Sequence, residues 1–310
     1  MTHGLPPLSN GPDVGHFLPP RFGSPGLPAQ FGIPAPLSPP RQPPSPGRFL
    51  VVVLVVIGLV AAVLQTLPVF DTALSEPAGS RTGTAAGTAP SFRPGDPLTD
   101  SKIYPMQVKG SCPAARSVTT REAYEAQVSS LIDCLAGIFK PLVNQAGGNF
   151  EAAKHKFYGR STSSPCGSEQ DAYAFYCTRD ATLYFSDQVF EDSQYGRLMI
   201  ADVVIHEYGH HVQAMMGMFE AADGLSEEKA ITTRREELQV FCWTYYVFAN
   251  VESYELSAAD HSYFRDVWSH TDDPVGHGSV KAQQYWGARG LNGTDLGACN
   301  TWKEPASRVR

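Results

Sequence analysis

The stretch LMIADVVIHEYGHHVQAMM, residues 198–216, sets two histidines four positions apart with a glutamate between them. On an α-helix, positions i and i+4 share a face, so His206 and His210 can aim ring nitrogens at one ion about 2.0 to 2.1 Å away. Glu207 points off that axis. There it can take a proton from a metal-bound water without itself coordinating, which attack on an amide carbonyl requires. Apolar Leu198, Ile200, Val203, Val204 and Ile205 lead into the motif, and Val212, Met215 and Met216 follow it. That spacing predicts one buried amphipathic helix over 197–216.

A catalytic zinc usually keeps three protein ligands and an open position for water. The third is expected from a second helical stretch, about Ser226 to Asn250, which contains RREELQVFC at residues 234–242. Glu237 is the candidate and Glu236 the alternative. Leu238, Val240, Phe241, Cys242 and Trp243 make this helix apolar nearly all round, and a carboxylate carried into such a helix needs a partner. The competing reading is a solvated first-turn cluster, Arg234 to Glu237.

These residues resemble the putative neutral zinc metallopeptidases of bacteria, which carry HExGHHVQ on one helix and ELQADC on another. Here His206 to Gln213 read HEYGHHVQ and Glu237 to Cys242 read ELQVFC. The likeness extends from about Ile103 to Trp302, through Cys166-Gly167, Phe175-Tyr176-Cys177, His277-Gly278-Ser279 and Cys299-Asn300-Thr301-Trp302. The resemblance implies a zincin fold of the glutamate-ligand type, with His206, His210 and Glu237 on zinc and Glu207 as general base. His277 and Tyr285 are candidate donors to a developing oxyanion, by position in matching segments. Ser279 is expected to cap the helix after it.

One departure stands out. Phe241 occupies the place of the family's aspartate, a second-shell acceptor for a ligand histidine in the family pattern. Loss of such a partner typically weakens metal affinity or activity roughly 10- to 100-fold. Asp202, one turn before His206, is a possible substitute.

Upstream, Tyr173–Thr178 and Thr182–Ser186 read as a hairpin around Arg179-Asp180-Ala181. An exposed edge at Thr182–Ser186 could take substrate backbone by strand addition. A further helix is expected from Thr120 to about Ala136, opened by the capping box Thr119-Thr120-Arg121-Glu122.

Residues 1–48 are proline-rich, with 14 of the chain's 25 prolines before residue 48, and are expected to be a disordered cytoplasmic tail. Residues 49–69 are free of charge and long enough to span a bilayer core of about 30 Å. Arg21, Arg41 and Arg48 precede this segment, whereas Asp71 and Glu76 are the first charges after it, so the N-terminus is expected inside. Residues 70–100 read as a flexible Ala/Gly/Thr/Pro linker, and 101–310 as the catalytic domain.

Of the net charge of −7, the tail carries +2 and the remainder −9, an acidic exterior that argues against nucleic-acid binding. All six cysteines follow the apolar segment, which suits an oxidising extracytoplasmic compartment. Six cysteines allow fifteen connectivities; the pairing expected here is 166 with 177, 242 with 299 and 112 with 134. Asn292-Gly293-Thr294 matches a glycosylation sequon, a weak sign given the bacterial resemblance.

The fold expected is α+β, a mainly helical zincin-like ectodomain with a small sheet behind one transmembrane helix. The expected function is a membrane-anchored, zinc-dependent peptidase acting on peptides or proteins. The alternative, motivated by Phe241, is an inactive descendant that binds peptides or envelope partners. Substrate sequence and oligomeric state have no signal in the chain.

Overall fold

The computed structural model describes residues 95–310 apart from 171, 271–272 and 274–275, together with a short strand, β1, at His16–Phe17. The apolar segment 49–69 and most of the expected linker lie outside the described residues. The folded region starts earlier than 101, because Leu98 is fully buried and Thr99 nearly so.

The architecture is mainly helical with a small sheet. Helix α1 (Arg121–Gln145) is longer than the stretch read from sequence, running through Pro141 where the periodicity alone stopped at Ala136. Its cap is Thr120, whose side chain accepts from the Ala123 amide. The capping box is therefore one residue out of register, and Glu122 does not hold its reciprocal position. Among the described residues, α1 is the one helix long and apolar enough to cross a membrane by length and composition. Its apolar face, Tyr124, Val128, Leu131, Leu135 and Phe139, is instead buried in the protein core.

The main sheet has the order β1-β5-β6-β2. Strand β2 (Lys154–Tyr158) runs parallel to β6 (Thr182–Ser186), and β5 (Ala174–Cys177) runs antiparallel to it. The β5–β6 hairpin falls where the aromatic runs predicted it, turned through Ala181 at φ 52°. Strand β6, however, is paired on both sides and offers no edge. The reason is a non-local one: β2 lies 24 residues or more upstream and pairs in parallel, which no hairpin signal announces. Strand β5 is an inner strand too, with β1 set antiparallel against Ala174 and Phe175 on its other side. A separate polar hairpin, β3 (Ser161–Ser164) and β4 (Gly167–Gln170), precedes it.

The remaining helices are α2 (Asp187–Asp192), α3 (Met199–Met215), α4 (Met218–Asp223), α5 (Lys229–Asn250), α6 (Ala258–His270) and α7 (Val280–Leu291). Helix α3 packs on α1, β5 and α5, and α5 packs on α7. Burial of α3 is continuous from Met199 to Gln213, and that of α5 from Arg234 to Phe248. Both predicted site helices are therefore central.

Three disulfides, Cys112–Cys134, Cys166–Cys177 and Cys242–Cys299, join the cysteines in the expected pairing. The last ties α5 to the C-terminal segment. Arg235 strengthens the same seam: its guanidinium bridges Glu227 at 2.8 and 3.0 Å and donates to the carbonyls of Thr301 and Glu304.

Asp202 is buried one turn before His206, and burial raises its carboxyl from 3.8 to about 7. In the unfolded chain the group ionises near 4, so folding stability is full below pH 4 and falls as pH rises to 7. Asp202→Asn should flatten that slope and raise stability at pH 8 by several kcal/mol, of order 4 at most. Thermal melts of both proteins between pH 4 and 8 check it; parallel curves would refute it.

Candidate metal centre

Helix α3 presents His206 and His210 on one face toward α5, and Glu237 rises from α5 between them. Glu237 Oε2 lies 3.2 Å from His206 Nε2 and 3.3 Å from His210 Nε2. A third imidazole, His277, enters from the loop before α7 and brings its Nε2 to 3.3 Å from the same oxygen. Among the described residues, His206, Glu237 and His277 form the group whose donor atoms all lie within 4.8 Å of one another. His206, Glu207, His210 and Glu237 are all at most 2% exposed. His277 is the most open, with 14% of its side chain exposed.

The close approach of α3 to α5 depends on Gly209. A Cβ there would lie 2.9 Å from Val240 Cβ, and a branched side chain has no room to yield. The glycine inside the motif is what allows a carboxylate on α5 to reach histidines on α3. His277 owes its position to Asp273, which accepts from His277 Nδ1 at 2.8 Å and from the backbone amides of Gly276 and His277. Gly278, at φ 83°, makes the turn that follows, with Leu238 packed against it.

Burial alone would raise the Glu237 carboxyl. The charges of His210 and His277 and the hydrogen bonds from His206 and His210 outweigh it and hold the group well below the ordinary carboxylate range. Burial opposes charge on His210 and His277 too, but Glu237 and, for His277, Asp273 raise both above 6.5. At His206 burial dominates, and the ring is pushed down. Positive charge on two imidazoles therefore compensates the buried Glu237 carboxylate, a part that a cation held by N and O ligands could also take.

Glu207 is different. Burial raises it from 4.5 to about 8, against the lowering influence of His210, His277 and the Tyr176 backbone amide. Neither carboxylate oxygen has a hydrogen bond of good geometry among the described residues. A carboxylate buried with so little hydrogen bonding beside the imidazoles and Glu237 is consistent with a place for a bound ion and its water.

Sequence reasoning had missed two residues of the site. Gln213, in HEYGHHVQ, accepts from His210 Nδ1 at 2.9 Å, and Gln239, in ELQVFC, accepts from Gln213 Nε2 at 2.8 Å. These glutamines belong to the same two motifs, and their i, i+3 and i, i+2 spacing from His210 and Glu237 is the signal that the sequence offers for them. Other expectations are corrected. Glu236 is buried but is not among the residues whose donor atoms converge, and burial raises its carboxyl to about 8. No hydrogen bond joins Asp202 to His206 among the described residues. Phe241 turns its ring against Tyr245, 4.9 Å between centroids, within an aromatic cluster that includes Phe264 and Trp268. Tyr285 is drawn off by Arg289 and Arg308. Ser279 caps α7 as expected, accepting from the Ala282 amide.

Residues 100–262 match the family described as "Putative neutral zinc metallopeptidase". The chain belongs to this family. The match takes in the α3 motif and Glu237 and stops short of His277. An uncharacterized protein of Mycobacterium tuberculosis is 30% identical over 120 residues, covering 35% of this chain and 40% of that protein. The chain thus spans about two fifths of the length of its mycobacterial relatives. The uncharacterized Escherichia coli protein YpfJ is 24% identical over 216 residues, covering 61% of this chain and 75% of its own. No solved structure matches. Zinc is the metal that the family description implies, and the His/Glu set fits it in donor type, burial and convergence.

Gly209→Ala should force α3 and α5 apart, costing about 1–3 kcal/mol of stability and separating Glu237 from the histidines. Zinc affinity measured by chelator competition should fall together with the melting temperature. Unchanged affinity in a folded variant would refute the helix-approach argument.

Proposed function

We propose that this chain is a membrane-anchored, zincin-like peptidase in which His206, His210 and Glu237 hold zinc and Glu207 is the general base. The observation that carries the reading is the convergence of three imidazoles on the Glu237 carboxylate beside a fully buried Glu207. Zinc, when bound, supplies Lewis acidity that lowers the pKa of a water and polarises an amide carbonyl. Glu207, raised to about 8, is suited to take a proton from the attacking water near neutral pH and return it to the leaving amine. His277, held by Asp273, is suited to donate Nε2–H to the oxygen that gains charge in the transition state. A cleft of about 390 Å³ is lined by Glu151, Tyr176, His211 and Phe219 among others, and Phe219, which stacks on His210, separates it from the metal-site residues, none of which lines it.

Full-length protein should hold about one zinc per chain, lost in His206→Ala and Glu237→Ala. Glu207→Gln should keep the zinc and lose peptide hydrolysis by at least about 100-fold, the scale of general-base contributions. Metal analysis and a fluorogenic peptide assay measure the two. Phe241 favours a second reading, a peptide-binding domain without turnover. Zinc bound with no hydrolysis of any peptide in a mixed library would support that reading over the first.

Anchoring through residues 49–69 with the tail inside has a consequence for β1. A tail inside the membrane and a sheet outside it cannot pair, so residues 1–47 should resist protease added to intact spheroplasts while the domain is cut. Cleavage of the tail from outside would overturn the N-inside orientation and support the β1–β5 pairing.

A further inference from the structure

The nitrogen of His210 that faces away from Glu237 starts a buried chain of hydrogen bonds whose direction is fixed at its far end. The Leu98 carbonyl can only accept, so the Tyr104 hydroxyl, 2.6 Å away, donates to it. The Tyr104 oxygen is then left to accept from Gln239 Nε2 at 2.9 Å. This orients the Gln239 amide and turns its Oε1 to Gln213 Nε2, 2.8 Å away. The same Gln213 amino group donates to the Glu236 carbonyl at 3.0 Å. Gln213 therefore has only its Oε1 to offer His210 Nδ1, at 2.9 Å. The two amides cannot flip without setting donor against donor, and none of these side chains is more than 6% exposed.

We propose that Tyr104 and Gln239 are positioning residues for the metal centre, acting through Gln213 to keep a proton of His210 on Nδ1 and so leave Nε2 as the nitrogen that faces the metal site. A ligand imidazole must present the correct nitrogen, and its partner on the other nitrogen decides which one that is. Here the partner is a neutral amide, which could face either way, whereas the carboxylate common at such sites accepts through both oxygens. The amide needs orienting, and Tyr104, more than a hundred residues away in sequence, supplies it. The relay also shows that α5 contributes to ligand orientation without a carboxylate at position 241.

The consequence for affinity rests on the zinc reading; the relay itself does not. In full-length protein, Tyr104→Phe should weaken zinc binding about tenfold, the lower end of outer-shell losses, and Gln213→Leu by up to about 100-fold. Gln213→Glu should bind zinc within a fewfold of wild type, and in that background Tyr104→Phe should cost nothing, because a carboxylate needs no orienting. Proton and nitrogen NMR of the histidine rings gives a second readout: a slowly exchanging His210 Nδ1–H, present with and without zinc and lost in Tyr104→Phe.

Equal losses of zinc affinity from Tyr104→Phe in both backgrounds, or a lower melting temperature with affinity and ring proton unchanged, would overturn the proposal. Absence of zinc from wild type with the Tyr104-dependent ring proton intact would overturn the zinc reading and leave the relay standing. If Tyr104→Phe fails to fold, Gln239→Leu tests the same link, with the same expected loss and the same suppression by Gln213→Glu.

Discussion

A carboxylate cannot be carried into an apolar interior alone, and Glu237 is 2% exposed on a helix that is buried along most of its length. Removing an ionised carboxylate from water without partners is costly enough that the group would take up a proton instead. Three imidazoles prevent that. They arrive from two separate parts of the chain, the central helix α3 and the loop before α7. The packing of α3 on α5, the glycine that permits it and the loop built on Asp273 all serve the position of this one oxygen. The same convergence that makes Glu237 tolerable makes the assembly a plausible host for a divalent cation, because each imidazole offers a lone pair once its proton is displaced.

Around that centre the protein keeps a division between charged and neutral support. His277 is held by a carboxylate, Asp273, which can stabilise charge on the ring. His210 is held by an amide, Gln213, which cannot do so to the same degree. The distinction matches the roles proposed for them: a donor to developing negative charge gains from a carboxylate behind it, whereas a metal ligand needs a fixed tautomer. Phe241 is intelligible in this frame. With His210 oriented from the side of Gln213, the position one turn beyond Glu237 is given over to an aromatic cluster with Tyr245, Phe264 and Trp268 that fills the space between α5 and α6.

The parts of the site that were legible in the sequence are those whose geometry is local. His206, Glu207 and His210 follow from helical periodicity, because one turn of helix fixes their mutual positions regardless of the remaining fold. Glu237 was legible from the conflict between a carboxylate and its apolar surroundings. His277 was reached by resemblance, since no local pattern marks a loop histidine. Gln213 and Gln239 were passed over because a glutamine's single-letter context does not distinguish a side chain facing solvent from one facing another amide across a helix interface. The double pairing of β6 escaped notice for a related reason: a parallel partner is invisible to the hairpin signals that located the strand. The helix caps erred by one residue where two threonines stand side by side at 119 and 120.

The C-terminal segment described with Cys242–Cys299 bears on the order in which the molecule can be assembled. Asn300 donates to the Thr99 carbonyl across 201 residues of sequence, and Gly297 donates to the carbonyl of Tyr104 itself. The first residues of the folded region are thus held in place by residues about two hundred positions later in the chain. A nascent chain that already contains both site helices can form the Gln239–Tyr104 bond but still lacks the Gly297 bond to the Tyr104 carbonyl, and contacts of such long range close late in folding. Alignment of the site is thus tied to the segment around Gly297–Asn300, so a product truncated before it would carry the motif residues without part of the framework that aligns them.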